Sequence, residues 1–466
     1  MPDPVSRPRD AAAAVAALTA AFGNRVVTAQ AVREQHGNTL TWIPNQPPDA
    51  VVFPQSAADV QQIVRLCAAH NVPVIPYGTG TSLEGHINAP FGGVSIDMRD
   101  MNRVIAVHAE DLDCVIEPGI TRKQLNEHLR DRGLFFPIDP GADASLGGMA
   151  ATRASGTNAV RYGTMKDNVL ALKAVMANGD IVTTARRAKK SSSGYDLTRL
   201  LVGSEGTLGV IVELTLKLSG IPEAIAGGIC PFPSVEAACD ATILTIQSGI
   251  PVARIELLDP LQIKACNAYS KLTLPEVPML FVEFHGSAAG VAEQSERFGE
   301  IAAEAGGGPF EWATKAEDRT RLWQARHDVY WAAKALRPGV QTFATDVCVP
   351  ISRLADCVHA AREEAQKRNL LAPLAGHVGD GNFHMSLLVD MSDAGEVARA
   401  REFAGRLAEL ALSMEGTCTG EHGVGQGKQK YLLAEHGAPA LAAMAAIKRA
   451  LDPQNLMNPG KLIPLD

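Results

Sequence analysis

The chain has 466 residues, of which 46% are hydrophobic and 20% are charged, and this composition excludes a disordered or fibrous protein. Its 43 Lys and Arg residues against 51 Asp and Glu residues give a net charge of -8 without a long run of either sign, which disfavours a nucleic-acid partner. The length predicts two or three domains.

Cysteine usage and hydropathy bear on the compartment. The eight cysteines are scattered without a C-x-x-C pair, which is typical of a reducing compartment rather than of a disulfide framework. The apolar run Ala11–Phe22 is mostly alanine and predicts a short helix, not a secretory signal. No stretch reaches about 18 uninterrupted apolar residues, so we expect no transmembrane segment. These features predict a cytoplasmic protein, and peripheral association with a membrane remains open.

The first half of the chain alternates short apolar strands with helical patterns. A strand at Ala50–Phe53, a helix over Ala57–His70 and a strand at Val74–Pro76 predict a β-α-β opening. Further predicted elements are a helix over Arg122–Arg132 and the strands Val94–Asp97, Cys114–Glu117, Val169–Met176 and Val210–Leu218. Because Ser219, Gly220 and Pro222 then interrupt the pattern, we predict an α+β domain that ends there.

The second half predicts a further sheet with its own helices, of the open α/β kind. The predicted strands are Met279–Gly286 and Thr342–Val349. The predicted helices are Val235–Ser248, Ala289–Ala305, Ile351–Arg368, Gly395–Met414 and Ala438–Leu451. An extended tail over Asn458–Lys461 follows the last of them.

The first candidate for chemistry is the glycine-rich loop Pro76–Gly85, which follows a predicted strand. Three glycines and three hydroxyl residues allow backbone amides to turn inward and hold a pyrophosphate. The spacing is not G-x-G-x-x-G, and Gly423–Lys428 is not a Walker loop. An ordinary surface loop is the alternative.

A second tract, Asp139–Asn158, is rich in small residues. Such residues bury little apolar area and leave the backbone exposed, which favours close approach of the main chain to a large flat ligand. A flexible loop is the alternative.

A third candidate is the segment His377–His384, in which Asp380-Gly381 is typical of a two-residue hairpin turn. A turn centred there pairs residue 379 with 382, 378 with 383 and 377 with 384, so that the two histidines face each other directly. Directly opposed Cβ atoms lie about 5 Å apart, which suits two imidazoles that share a metal ion. A purely structural histidine pair is the alternative.

A fourth candidate is the loop Gly416–Gly425. Glu421 could complete a set of two histidines and one carboxylate with open coordination positions, a geometry that accepts substrate oxygens. His422 beside it could then act as a base. A solvated Glu-His pair in a glycine loop is the alternative.

Several long segments carry a family resemblance. They include PYGTGTSLEGH, EPGITRKQLNEHLRDRGLFFPIDPGADASLGGMAATRASGTNAVRYGTMKDNV, LLVGSEGTLGVI, TDVCVPISRL, HVGDGNFH, GTCTGEHGVGQGK and NPGKL. On these segments, which span Pro76–Leu462, the chain resembles the FAD-linked oxidases of the vanillyl-alcohol-oxidase type. It is more closely similar to their D-lactate dehydrogenase (cytochrome) branch, beside the glycolate oxidase flavoprotein subunit and D-2-hydroxyglutarate dehydrogenase.

The resemblance implies a fold and a cofactor. It implies an FAD-binding domain over residues 1–219, an α/β substrate-binding cap domain over 220–415 and a C-terminal segment over 416–466 that returns to the FAD domain. It also implies that FAD contacts Tyr77, Gly78, Thr79, Gly80, Thr81, Ser82, Leu83, Pro140, Gly141, Ser145, Gly148, Ala151, Thr152, Ser155, Gly156, Gly206, Gly209, Ile211 and Asn458. We expect this FAD to be non-covalent, because the only histidine that adjoins the phosphate loop, His86, lies beyond the loop proper.

The resemblance further implies a set of catalytic residues. His377, His384 and Glu421 would bind a divalent metal such as zinc or manganese, and His422 would be the base. Arg326 would bind the substrate carboxylate, and Asn382 would contact substrate or metal.

The implied reaction is oxidation of a D-2-hydroxy acid, with D-lactate to pyruvate expected first. Glycolate and D-2-hydroxyglutarate are the alternative substrates, and cytochrome c or a quinone is the expected electron acceptor. A homodimer remains open. Ala344 stands near a position where the hydroxyglutarate branch carries lysine, which argues against a dicarboxylate, and Arg153 stands where a small residue would face the flavin.

Two other classes of protein remain as rivals. A nicotinamide-dependent dehydrogenase lacks support because the G-x-G-x-x-G fingerprint and its ribose-binding acid are missing. A metal-binding scaffold without catalysis would make His422 and Arg326 incidental.

Overall fold

The computed structural model describes residues 9–38, 41–313 and 316–465. Its α-helices are α1 Ala11–Phe22, α2 Gln30–Gly37, α3 Ala57–Ala69, α4 Arg122–Leu129, α5 Leu146–Thr152, α6 Ala159–Tyr162, α7 Met165–Asn168, α8 Leu197–Leu201, α9 Val235–Gln247, α10 Pro260–Ser270, α11 Ala288–Glu304, α12 Ala316–His327, α13 Val329–Ala335, α14 Leu354–Lys367, α15 Ala394–Ser413 and α16 Leu432–Leu451. Among these helices, none combines the length and the apolar character that crossing a bilayer requires.

The strands form four sheets. They are β1 Val26–Val27, β2 Ala50–Val52, β3 Val74–Tyr77, β4 Val94–Asp97, β5 Val104–His108, β6 Asp113–Ile116, β7 Leu134–Phe135, β8 Val169–Val175, β9 Ile181–Thr183, β10 Val210–Lys217, β11 Ser219–Gly220, β12 Ala224–Pro231, β13 Val252–Leu258, β14 Met279–Gly286, β15 Glu311–Ala313, β16 Gln341–Ala344, β17 Val347–Cys348, β18 Leu374–His377 and β19 Asn382–Val389.

The described residues divide into two compact units. The first unit takes its residues from Met1–Ser155, Thr164–Gly220 and Glu421–Asp466, and the second from Gly156–Gly163 and Ile221–Gly420. Nothing in the sequence pattern assigned the short segment Gly156–Gly163 to the second unit.

Local capping signals begin several helices. The Ser56 side chain accepts a hydrogen bond from the amide of Asp59 at 3.1 Å at the start of α3. Thr121 and Gln124 form a capping box at the start of α4. Each cap satisfies amides that the first helical turn leaves without a partner in the helix.

The first unit contains two larger sheets. One has the strand order β1-β2-β4-β3, in which β4 runs parallel to both β2 and β3, as the β-α-β pattern predicts. The other is antiparallel, with the order β5-β6-β10-β8-β9. Ile63 of α3, Val94 of β4 and Val210 of β10 lie in one apolar core, so the two sheets share it.

The second unit is built on one antiparallel sheet with the order β15-β12-β14-β13-β18-β19-β16, and β17 pairs with β19. Phe284 of β14 packs on Phe298 of α11, with ring centroids 5.9 Å apart, while Phe281 approaches Trp323 of α12 at 6.4 Å. Because residues 281 and 284 are an odd number apart on one strand, helices cover both faces of this sheet.

Most predicted elements agree with the structure within two residues, and β4 and β14 agree at both ends. Five predictions were wrong in detail. The helix predicted over Arg122–Arg132 ends at Leu129 and continues as a 3₁₀ turn over Arg130–Arg132. The tail predicted as extended over Asn458–Lys461 turns instead, with Asn458 at φ +42° and Gly460 at φ +76°. The predicted strand Thr342–Val349 is divided into β16 and β17, with Thr345 and Asp346 between them. The helix predicted over Ile351–Arg368 begins with a 3₁₀ turn at Ile351–Arg353, and α16 begins at Leu432 rather than at Ala438.

Candidate active site

The glycine-rich loop after β3 carries polar groups that make no hydrogen bond to the described main chain of the first unit. None of the amides from Gly78 to Leu83 donates to a described main-chain carbonyl. The Ser82 hydroxyl is buried and has no hydrogen-bond partner among the described residues. Gly80 has φ +70°, a left-handed conformation that lets the chain turn here. Unsatisfied donors of this kind are what a pyrophosphate requires.

Ser145, at the start of α5, lies against the same loop. A Cβ atom on Gly78 would stand 2.2 Å from Ser145 Oγ, so only glycine permits this approach. The Ser145 hydroxyl is also buried without a hydrogen-bond partner among the described residues. Buried hydroxyls are normally satisfied, so two of them beside one glycine loop suit a ligand that offers hydrogen-bond partners.

The remaining predicted cofactor residues are distributed over both units. Pro140, Gly141, Gly148, Ala151, Thr152 and Ser155 belong to the first unit, in or beside α5, as do Gly206, Gly209 and Ile211 around the start of β10, whereas Gly156 belongs to the second unit. The Arg153 guanidinium donates to the Val202 carbonyl at 3.2 Å.

Asn458 and Glu205 tie three segments of the first unit together. Asn458 Nδ2 donates to the carbonyls of His86 and Glu205, at 3.1 and 2.7 Å. The buried Glu205 carboxylate accepts from the amides of Val424 and Gly425 at 2.7 and 2.9 Å, and lies 3.2 Å from His86 Nε2. Burial alone would raise the pKa of Glu205, but the charge of His86 and these hydrogen bonds lower it.

Glu421 and His422 begin the last segment of the first unit, in a loop without regular structure. Since Glu205 binds the amides two and three residues after His422, it fixes the course of this loop where the sequence predicted a ligand and a base.

In the second unit, one face of the sheet carries buried polar side chains. The register pairs Leu257 with Gly376 and His377 with Asn382, so Glu256, His377 and Asn382 form one row across three strands. Directly paired residues point to the same face of a sheet. His384, two residues from Asn382, shares that face.

The hairpin that carries the histidines differs from the prediction. Residues 378–381 form the turn, His377 pairs with Asn382, and His384 pairs with Ala375 rather than with His377. The predicted register was wrong by two residues because Val378–Asp380 forms a 3₁₀ turn. A shift of two preserves the face of each side chain, and the two imidazole centroids lie 5.4 Å apart.

Glu256 binds both His377 and Arg326. His377 Nδ1 donates to Glu256 Oε1 at 2.8 Å, and Arg326 donates to Oε2 through Nε at 3.0 Å and also through Nη2. Burial alone would raise the pKa of Glu256, but the charges and hydrogen bonds of Arg326 and His377 lower it. Arg326 Nη1 makes no hydrogen bond to a described residue, so one edge of the guanidinium remains for a carboxylate.

Asp346 organises the other end of this row. Its Oδ1 accepts from Asn382 Nδ2 at 2.8 Å, and its Oδ2 accepts from the Thr419 hydroxyl at 2.8 Å. His384 Nδ1 donates to the Thr345 carbonyl at 3.2 Å. The remaining atom, Asn382 Oδ1, is a buried oxygen with no hydrogen-bond partner among the described residues, which suits a cation or a donor on a ligand.

Sequence reasoning missed Glu205, Glu256 and Asp346. A signal existed for Glu256, because Arg254 and Glu256 are charged residues at alternate positions of the otherwise apolar strand β13. Buried charges are normally paired, so this pattern indicates partners from neighbouring elements.

Comparison with family models matches two stretches of the chain. Residues 48–185 match the model described as an FAD binding domain, and residues 221–462 match the C-terminal domain of FAD linked oxidases.

Comparison with curated proteins adds relatives that match most of this chain. The chain is 52% identical over 443 residues to a probable mitochondrial D-lactate dehydrogenase of Danio rerio, with 94% of this chain and 89% of that protein covered. It is 51% identical over 417 residues to a mitochondrial D-lactate dehydrogenase [cytochrome] of Arabidopsis thaliana, with 90% and 74% covered. A glycolate oxidase subunit of Bacillus subtilis is 33% identical, with 90% of each chain covered.

Solved structures agree on the fold. The chain is similar to p-cresol methylhydroxylase with a TM-score of 0.77, 17% identity and 96% of each chain covered. It is similar to 4-ethylphenol oxidase from Gulosibacter chungangensis with a TM-score of 0.78, 17% identity and 97% of each chain covered.

Proposed function

The chain belongs to the family of FAD-linked oxidases, and on that premise we propose that it is a dehydrogenase that oxidises D-lactate to pyruvate. The two similar proteins named D-lactate dehydrogenase support this choice of substrate. The observation that carries the proposal is the arrangement around Glu256. Its carboxylate binds Arg326, whose positive charge can pair with a substrate carboxylate, and His377, which is one of the two neighbouring histidines. A 2-hydroxy acid presents a carboxylate and a hydroxyl on adjacent carbons, the two groups that such a pair of partners would bind.

FAD fits the polar groups of the first unit. The amides of the loop Gly78–Leu83 and the hydroxyls of Ser82 and Ser145 would hold its phosphate and ring atoms. The other predicted contacts, from Pro140 to Gly156, from Gly206 to Ile211 and at Asn458, stay part of the proposal. Bound FAD would supply the acceptor for the C2 hydrogen of the substrate and its electron pair.

We also propose that His377, His384 and Glu421 bind a divalent metal ion, zinc or manganese. Two features support it: the imidazoles lie 5.4 Å apart, and each donates its Nδ1 proton to an oxygen, which selects Nε2 as the ligand atom. Glu421 directly follows Gly420, and a Cβ on Gly420 would stand 2.1 Å from Asn382 Nδ2. The main chain therefore passes close to Asn382 one residue before Glu421. Such a metal would polarise the substrate hydroxyl.

The chain's own residues then have separate tasks. Arg326 binds the substrate carboxylate through Nη1, while Glu256 keeps the rest of the guanidinium in place. Asn382 Oδ1 accepts from the substrate or binds the metal. His422 removes the hydroxyl proton as the C2 hydrogen leaves with its electron pair.

Anaerobic mixing of the purified protein with D-lactate and with L-lactate tests the proposal. We expect D-lactate to bleach the flavin absorbance and L-lactate to do so far more slowly, because two fixed substituents leave one enantiomer with its hydrogen toward the acceptor. Equal bleaching by both, or faster bleaching by glycolate or D-2-hydroxyglutarate, would contradict the choice of substrate. A colourless protein that binds metal would support the scaffold instead.

The acceptor and the compartment belong to the same proposal. The Arabidopsis thaliana relative is named for a cytochrome, which favours a cytochrome as electron acceptor, and a quinone is the alternative. The cytoplasm stays a prediction from cysteine spacing in the sequence, whereas the Danio rerio and Arabidopsis thaliana relatives are described as mitochondrial. The homodimer remains a prediction.

A further inference from the structure

Glu256 is a single buried carboxylate that contacts two side chains of the proposed site. It receives His377 Nδ1 on Oε1 at 2.8 Å and Arg326 Nε on Oε2 at 3.0 Å. We infer that Glu256 is a positioning residue, which orients His377 toward the metal and Arg326 toward the substrate carboxylate. This inference deepens the proposed function and rests on it.

The position of Glu256 follows from the sheet. The register that pairs Leu257 with Gly376 continues one residue further and sets Glu256 directly opposite His377. The side chain of Glu256 is 1% exposed, so water does not compete for its oxygens. Such a carboxylate must be paired, and both of its oxygens are used.

Each contact selects a property that the reaction needs. Because Nδ1 of His377 donates to Glu256, the imidazole holds its proton there and presents Nε2 for coordination. Because Arg326 binds Glu256 through Nε and Nη2, the plane of the guanidinium is fixed and the edge with Nη1 is directed elsewhere. One charge therefore sets the orientation of both a ligand and a substrate-binding group.

The neighbouring strand supplies a comparison with no such role. Glu283 of β14 also accepts from a histidine, His285 Nε2 at 2.8 Å, and lies 3.3 Å from an arginine, Arg254. The other ring nitrogen of His285, Nδ1, shares a hydrogen bond of 2.7 Å with the Tyr162 hydroxyl, so both nitrogens of that imidazole are occupied within the protein. His285 cannot bind a metal without breaking one of these bonds. Glu283 therefore resembles Glu256 in its burial and in the types of its partners, but the histidine that it binds is not a proposed metal ligand.

The experiment compares Glu256→Gln, Glu256→Asp and Glu283→Gln in the full-length flavoprotein. Metal affinity is measured by equilibrium dialysis against Mn²⁺ and Zn²⁺, and thermal unfolding is recorded for each variant. We expect Glu256→Gln to bind metal about 10- to 100-fold more weakly, as is usual when the carboxylate behind a ligating histidine is lost. Glu256→Asp keeps the charge but is one methylene shorter, so its affinity should lie between those of wild type and Glu256→Gln. Glu283→Gln should bind metal as tightly as wild type.

A second readout addresses Arg326. In Glu256→Gln the KM for D-lactate should rise, whereas the flavin spectrum should stay that of wild type. Wild-type metal affinity and KM in Glu256→Gln, or an equal loss in Glu283→Gln, would overturn the inference and leave the proposed function standing. A wild-type protein that binds neither metal nor D-lactate would refute the proposed function, and the inference with it. Should Glu256→Gln fail to fold, Glu256→Asp decides by the same two measurements.

Discussion

The carboxylate of Glu205 accepts a hydrogen bond from the backbone amide of Val424, with 2.7 Å between the two atoms. A second bond, from the amide of Gly425, reaches the other oxygen at 2.9 Å. Because the loop has no helix or strand of its own here, its path depends on this buried charge. The segment so fixed is the one that contains Glu421 and His422.

Replacement of Glu205 by glutamine should therefore destabilise the first unit. Hydrogen bonds to a charged group contribute about 1.5–3 kcal/mol to stability. The neutral side-chain amide of a glutamine at position 205 would face His86 and two backbone N–H donors and would recover only part of this energy. We expect a fall of about 2 kcal/mol in the free energy of unfolding at neutral pH, measured by urea denaturation. Glu213→Gln on β10 is the control, because Glu213 pairs with Lys173 at the surface and should change stability by less than about 0.5 kcal/mol.

The same variant carries a pH signature. Since the pKa of Glu205 is lowered in the folded state from 4.5, its contribution is complete above that pH and is lost as the pH falls through the folded value. The difference in unfolding free energy between wild type and Glu205→Gln should thus shrink as the pH falls below about 5. A difference that grows on acidification would contradict the assignment.

Gly78→Ala should weaken FAD binding through Ser145. The new methyl group would stand 2.2 Å from Ser145 Oγ and force that hydroxyl into another rotamer. Loss of one hydrogen bond of about 1–1.5 kcal/mol corresponds to roughly tenfold in the Kd for FAD. A double-mutant cycle with Ser145→Ala is the control, because in that background Gly78→Ala should add little. Full additivity would show that the methyl acts elsewhere.

FAD should be released without cleavage of a covalent bond. The histidine nearest to the glycine loop in sequence, His86, follows Gly85 beyond the loop proper and is buried with Nε2 3.2 Å from Glu205. Acid precipitation should leave all of the yellow colour in the supernatant. Colour retained in the pellet after washing would show a covalent flavin.

Chelation should abolish turnover and leave the flavin bound. Two of the three proposed ligands, His377 and His384, lie in the second unit, and the third, Glu421, lies in the first unit in a segment different from the ones that carry the unsatisfied hydroxyls of Ser82 and Ser145. After EDTA treatment the visible spectrum should be unchanged, and added Zn²⁺ or Mn²⁺ should restore D-lactate oxidation. Release of FAD together with the metal would contradict this independence.

His422→Ala and His377→Ala should fail in different ways. Loss of a positioned base lowers a rate by about 10²- to 10⁴-fold, so His422→Ala should reduce its flavin that much more slowly while it keeps metal and FAD. His377→Ala should instead lower the metal content. Stopped-flow flavin reduction and metal analysis on both proteins distinguish the roles, and a His422→Ala protein purified without metal would make His422 a ligand.

Most helices and strands could be predicted from the sequence because the signals that determine them lie within or beside each element. The run Ala11–Phe22 forms a helix with those bounds, and β14 is a continuous strand that is mostly apolar and has Pro278 before it and Gly286 at its end. The hairpin at His377 shows the limit of such reasoning. Asp380-Gly381 predicts a two-residue turn, but Gly381, with φ +77°, instead ends a 3₁₀ turn. The proximity of the two histidines survived this error because the shift was even.

Residues that act through long-range contacts could not be predicted in the same way. Glu256 and His377 are 121 positions apart, and only the pairing of β13 with β18 brings them together. Glu205 and Val424 are 219 positions apart, and no periodicity connects them. Arg326 was identified by the family resemblance, but its partner Glu256 was not. Which charged residues are buried together becomes clear only when the order of the strands in the sheet is known.

The contacts of Met457 and Asn458 determine when the first unit can complete its folding during synthesis of the chain. Met457 lies in the same apolar core as Val94 and Ile63, and the amide of Asn458 donates to the carbonyl of Val74 at 2.9 Å. A ribosome makes β3 and β4 long before it makes these partners, so the nascent first unit has an incomplete core while the whole second unit is translated. Stable uptake of flavin should therefore be a late event, which follows the emergence of Asn458 rather than that of the glycine loop.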